Sequence, residues 1–274
     1  MHLKVPNQLH WREYFAEFLG AAFNIFIGLS AIVFNFGHGL PIEQIVPDSS
    51  IRRLITGLIF AGSGAIVAVS PIGKLSGSHI NPSVSLAFWI HGKMHLRDFV
   101  GFVIGQFLGA ITAVLLLVTL WGDYARSVSN GMTLPGLNYP LWMVFLSEVT
   151  ITFLLMLTIF IFISHHRLMR WTPLILWLLI AGMVWQEAPI SGTSLNPARS
   201  FAPALVTGNW HHQWIYWIAP PMGAAIAVGV FRLITLGERD VLTGKLYHAF
   251  NYPSIFKNVK LLHFQHHPHS NRSA

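Results

Sequence analysis

Among its 274 residues the chain has no cysteine. That excludes a disulfide framework, a thiol nucleophile and any thiolate metal site. Charge is scarce too: Asp, Glu, Lys and Arg make up 10% of the residues, against about 25% in a soluble globular domain. Residues 1–13 lack the short apolar core of a cleavable signal, so the first apolar segment is expected to stay as its own anchor. No His-x-x-x-His or Glu-x-x-His pair lies on an apolar segment. Neither a metal site, a cofactor nor an enzymatic reaction is therefore expected.

What the chain does have is apolar length. Hydrophobic residues make up 53% of it, in six runs at about 14–36, 54–72, 99–121, 141–164, 171–185 and 214–236. Crossing a bilayer takes about 20 apolar residues, so the chain reads as an all-α membrane protein. An even number of crossings leaves both tails on one side. With that side taken as holding the tails and the 72–98 and 165–170 connections, it carries thirteen Lys and Arg; the other side carries Arg52, Arg53, Arg126 and Arg199. By the positive-inside rule both termini are cytoplasmic. The net charge of +7 then reports topology and not nucleic-acid binding. The expected domains are an N-terminal tail (1–13), a membrane-embedded body (14–236, with repeats at about 14–121 and 141–236) and a His-rich cytoplasmic tail (237–274). The tail imidazoles of His248, His263, His266, His267 and His269 read as solvated, not as metal ligands or a pH gate.

Two stretches break the apolar pattern, and they are near-copies. Ser76 to Ser85 reads SGSHINPSVS, and Ser191 to Ser200 reads SGTSLNPARS. Asn favours the helix N-cap and Pro the first helical position. Asn81-Pro82-Ser83 and Asn196-Pro197-Ala198 should each start a half-helix whose positive end points back at the Asn. Non-helical backbone at membrane depth survives only if buried in protein or lining a wet cavity, so the pair implies a pore. Glu17, Asn81 and Gly109 match Glu148, Asn196 and Gly223, with 28 and 27 positions from Asn to Gly. Three crossings per half make the second copy upside down, an inverted-topology repeat with two re-entrant half-helices. Each Asn is expected to cap its half-helix and turn its amide into the pore as a donor. Glu17 and Glu148, one per repeat, are read as acceptors for the N–H groups of their broken loops, with proton relay as the alternative. His79 is a candidate for lining the mouth. Gly20, Gly109, Gly182 and Gly223 are read as helix-contact positions.

Paired Asn-Pro-Ala-type loops with Arg directly after the second resemble those of the aquaporin (major intrinsic protein) family, across about residues 13–236. The resemblance implies an aquaporin-like passive channel, with one pore per subunit, a homotetramer and residence in the cell membrane. It places Arg199 at the selectivity filter and, by spacing from the two Asn residues, Ala61, Val184 and Thr193 beside it. Strict water channels usually carry Phe, His and a small or polar residue at those three positions, so this filter departs at two. A one-residue helix shift would restore an aromatic through Phe60. Ser83 in place of Ala, with a small filter residue, is similar to plant metalloid channels. Ser200, Ala204, Tyr216 and Trp217 look instead like the water-channel branch and not like glycerol facilitators. The function implied is passage of water, then of small neutral solutes, with protons and ions excluded. A glycerol, urea, boric acid or arsenite facilitator is the alternative, and a proton-coupled transporter a weaker one. The partners are these solutes and membrane lipid, with no nucleic acid.

Overall fold

Apolar runs with few backbone-competing residues leave the main chain one way to satisfy its polar groups away from water, the α-helix. A computed structural model describes residues 9–236, 240–247, 252 and 254–256. In chain order its helices are α1 (Trp11–Phe36), α2 (Ile42–Ile45), α3 (Ser49–Val69), α4 (Pro71–Ser76), α5 (Pro82–Ile90), α6 (Leu96–Trp121), α7 (Asp123–Ser127), α8 (Leu141–Ile163), α9 (Thr172–Ser191), α10 (Pro197–Thr207) and α11 (Trp214–Ile234). Among the described residues six helices are long and apolar enough to cross a membrane: α1, α3, α6, α8, α9 and α11. No strand occurs among them. The half-helices α5 and α10 have only 9 and 11 residues.

Two boundaries differ from the sequence expectation. Helix α3 starts at Ser49, not near residue 54, because Asp48 caps it by accepting from the Ser50 N–H at 2.7 Å. That draws Arg52 into the helix, where it is buried and donates to the Asn35 carbonyl at 2.8 Å. Helix α9 runs through Pro189 to Ser191, six residues beyond the expected end, and takes Glu187 with it.

The inverted repeat is visible in the packing. Helix α1 packs on α6 and α3, while α8 packs on α11 and α9. Glycine lets the first helix of each pair approach closely. A Cβ on Gly109 would lie 2.4 Å from the Phe18 carbonyl oxygen, and one on Gly223 would lie 2.2 Å from that of Val149. Gly20 is also tight, against Ile80 and Val67. Gly182 does not join them: nothing lies within 4 Å of its Cβ position, so the expectation of a helix contact there fails within this chain.

Candidate functional site: a conduit between two re-entrant loops

The two broken loops adopt the same strained backbone. Gly77, Ser78 and Ile80 have φ of 101°, 58° and 45°; Gly192, Thr193 and Leu195 have 83°, 49° and 57°. Non-glycine residues in this left-handed region cost roughly 1–2 kcal/mol each, and β-branched ones such as Ile80 and Thr193 seldom enter it. The surroundings must hold both loops there, and in each repeat a buried carboxylate makes the central contact. Glu17 accepts from Ser76 Oγ (2.7 Å) and the His79 N–H (3.0 Å) on one oxygen. Its other oxygen accepts from the Ile80 N–H (2.6 Å) and Gln106 Nε2 (2.7 Å). Glu148 accepts from Ser191 Oγ (2.5 Å) and the Ser194 N–H (2.6 Å), and from the Leu195 N–H (2.9 Å). Both side chains are fully buried.

Each loop ends in an N-cap. Asn81 Oδ1 accepts from the Ser83 N–H at 2.8 Å, and Asn196 Oδ1 from the Ala198 and Arg199 N–H groups at 3.0 and 3.3 Å. Pro82 and Pro197 occupy the first helical positions. The amide nitrogens do something the spacing did not disclose. Asn81 Nδ2 donates to the Leu195 carbonyl at 2.9 Å, and Asn196 Nδ2 to the Ile80 carbonyl at 3.0 Å. Each NH₂ has two hydrogens, so one clasps the opposite loop and one is left for the space between. The expectation that the whole amide faces the pore is corrected to that extent.

Both Asn residues line a cavity of about 120 Å³. That is room for a short file of waters, at about 30 Å³ of liquid volume each. Its walls include Phe60, Ala61, Val184, Thr193 and Arg199, and also His79, Leu155, Ile159, Leu176 and Leu246. All four residues assigned to the filter by spacing thus meet one cavity. Phe60 joins them, with the Arg199 Cζ 5.8 Å from its ring centroid. The one-residue ambiguity resolves into both residues reaching the wall.

Arg199 is 4% exposed and donates through Nη1 to the Gly131 carbonyl at 2.7 Å. Its Nε has no partner, a buried donor beside the cavity. Ser83 is buried and its hydroxyl has no partner either. His79 lines the cavity, yet both ring nitrogens are engaged, Nδ1 with Ser85 Oγ (3.1 Å) and Nε2 with the Gly244 carbonyl (2.9 Å). Its ring stacks on Phe88 at 4.5 Å.

Two groups escaped the sequence reading. Glu187, a third carboxylate at membrane depth, accepts from Ser147 Oγ (2.6 Å) and from the Thr193 hydroxyl (2.5 Å). Its signal was its place three residues after Val184, on the same helical face. The second is the segment after α11, described below; of the tail histidines, His248, His263, His266, His267 and His269 lie outside the described residues. No group of three His, Cys, Asp or Glu able to hold a metal occurs among the described residues.

The major intrinsic protein family model matches residues 4–231. Aquaporin AqpM of Methanothermobacter marburgensis is 35% identical over 244 residues, covering 80% of this chain and 96% of its own. Mouse aquaporin-4 is 32% identical over 257 residues, covering 90% of this chain and 74% of its own. Among solved structures, the aquaglyceroporin of Plasmodium falciparum superposes with a TM-score of 0.69 at 20% identity, over 83% of this chain and 97% of that one. At that identity the likeness is one of fold.

Proposed function

The chain belongs to the major intrinsic protein family, which consists of passive channels and not enzymes, and we propose that this member conducts water, with small neutral solutes second. The observation that carries the reading is the pair of crossed Asn caps. Each leaves one N–H for the cavity, so a passing water presents its oxygen to both and its hydrogens outward. The N-termini of α5 and α10 converge there, and the positive ends of two helices disfavour cations, hydronium included.

The Arg199 guanidinium offers fixed donors at the filter while its charge repels cations. Ala61 and Val184 make the opposite wall apolar, and the Phe60 ring narrows it. An apolar wall rejects an added hydroxyl only weakly, so the filter itself supports breadth, and the preference for water rests on Ser200, Ala204, Tyr216 and Trp217, which look like the water-channel branch. Glu187 acts here as a positioning residue. By taking the Thr193 hydroxyl it leaves that filter position showing its methyl and backbone. Ser83 has no assigned role beyond packing.

The assembly is a homotetramer in the cell membrane, with both termini cytoplasmic and residues 14–236 forming the channel body. The thirteen-to-four Lys and Arg asymmetry supports that orientation. The test is stopped-flow light scattering on proteoliposomes challenged with osmotic gradients of sucrose, glycerol, urea and boric acid. Fast shrinkage without lumenal acidification, with slow glycerol and boric acid entry, is the expected outcome. Glycerol entry as fast as water would replace this reading with a facilitator.

A further inference from the structure

The segment after α11 opens on the charged Glu238, Arg239 and Asp240 and reads as a solvated tail, but several of its described residues are buried. Val241, Thr243, Lys245 and Leu246 are each at most 8% exposed, and Phe256 is 6% exposed. Backbone and side-chain bonds fasten this stretch at several points. Asp240 meets Lys93 Nζ at 2.5 Å and His91 Nε2 at 3.1 Å, both just beyond the C-terminal end of α5. The Leu242 N–H donates to the Ile163 carbonyl at the end of α8 (3.1 Å). The Gly244 carbonyl takes His79 Nε2, and Lys245 Nζ donates to the Lys74 carbonyl on α4 (2.6 Å). The Leu246 N–H donates to the Gly77 carbonyl at 3.0 Å. Phe256 then closes over Gly77 and Gly244, whose hydrogens leave room that a Cβ would fill.

These anchors belong to both repeats: α4, α5 and the first broken loop on one side, α8 on the other. A segment tied to both crosses the mouth between them. Leu246 is the described residue of this segment that lines the cavity, whose wall also holds Leu155, Ile159 and Leu176. An apolar side chain there displaces water that the file needs, and the carbonyl of Gly77 and Nε2 of His79, polar groups at the entrance, are spent on the segment. We propose that residues 240–246 are a self-blocking strap, docked across the His79-side mouth in this structure, which must leave that mouth before the channel conducts at its full rate. The proposal rests on the reading of the cavity as a conduit.

The test compares unit permeability of the full chain with three variants in proteoliposomes, for water and for glycerol. A stop after Leu236 removes the strap. Asp240→Lys keeps every residue of it but sets like charges against Lys93. Leu246→Ala leaves the anchors and withdraws the side chain from the wall. All three should raise water permeability severalfold over the full chain, with glycerol remaining the slower solute. Amide exchange at Leu242 and Leu246 should be slow in the full chain and in Leu246→Ala, and fast in Asp240→Lys. Permeability unchanged in both folded point variants overturns the strap while leaving the water reading intact. Variants that gain glycerol flux but no water flux refute water selectivity and keep the strap. Absence of flux in every form, strap removed or not, refutes both.

Discussion

The carboxylates behind the two loops make unequal demands, and replacing each by its amide separates them. In Glu17→Gln the amide oxygen can still serve Ser76 Oγ and the His79 N–H. The amide nitrogen then faces two donors, the Ile80 N–H and Gln106 Nε2. Turning the Gln106 amide over would offer its unpartnered Oε1 but would withdraw Nε2 from Ser85 Oγ, bonded at 3.0 Å. Two buried donors lose their acceptor either way. At about 1–3 kcal/mol for each unsatisfied buried group, the cost is about 2–6 kcal/mol. In Glu148→Gln the oxygen keeps Ser191 Oγ and the Ser194 N–H, and only the Leu195 N–H is orphaned, for about 1–3 kcal/mol. Thermal unfolding of the detergent-solubilised protein should therefore rank wild type above Glu148→Gln and that above Glu17→Gln. Water permeability should fall in the same order. Glu17→Gln with an unfolding midpoint matching wild type would refute the claim that this carboxylate holds the first loop in its left-handed backbone.

Three further outcomes follow from the contacts. Glu187→Leu frees the Thr193 hydroxyl to enter the filter, so the glycerol-to-water permeability ratio should rise about threefold or more, the effect of one hydrogen bond. Glu187→Gln keeps an acceptor and should keep the ratio, and in a Thr193→Val background Glu187→Leu should leave it unmoved. Gly223→Ala drives a Cβ towards the Val149 carbonyl and should cost about 1–3 kcal/mol in thermal stability. Gly229→Ala, with nothing within 4 Å, should be neutral or raise stability by up to about 1 kcal/mol. Burial lowers Lys245 to about 8, partly offset by the charge of Glu13. Below that value the amine is protonated with the strap docked or free. Between about pH 8 and its ordinary 10.5 the docked form binds fewer protons, so docking strengthens as pH rises. Water permeability of the full chain should decline across that window and stay level in the form stopped after Leu236.

The helices, the two caps and the inverted relation were legible because each depends on short-range pattern. Asn81-Pro82 and Asn196-Pro197 mark helix starts by local chemistry alone, and the apolar runs give the crossings by length. What lay beyond the sequence depends on contacts between distant residues. The clasp of each Asn amide on the opposite loop joins positions 114 and 116 apart, and nothing local encodes it. Glu187 was lost because the fifth apolar run was ended at residue 185, whereas α9 carries on through Pro189 to Ser191. Whether Phe60 or Ala61 faces inward depends on the rotational phase of α3, which the sequence does not give; both residues line the cavity. The strap escaped because it follows a charged stretch at the end of the last apolar run, while its burial is secured by bonds from Leu242, Lys245 and Leu246 to carbonyls that sequence pattern does not disclose.

The clasp between loops also sets an order of manufacture. When the ribosome has delivered Asn81, the carbonyl that its amide will hold belongs to Leu195 and does not yet exist. The first half must wait in the bilayer with its cap half-used until nearly the whole second half has been inserted. Neither half can then finish its centre alone, and a fragment ending in the 122–140 connection should mature only when the complementary fragment is supplied in the same membrane.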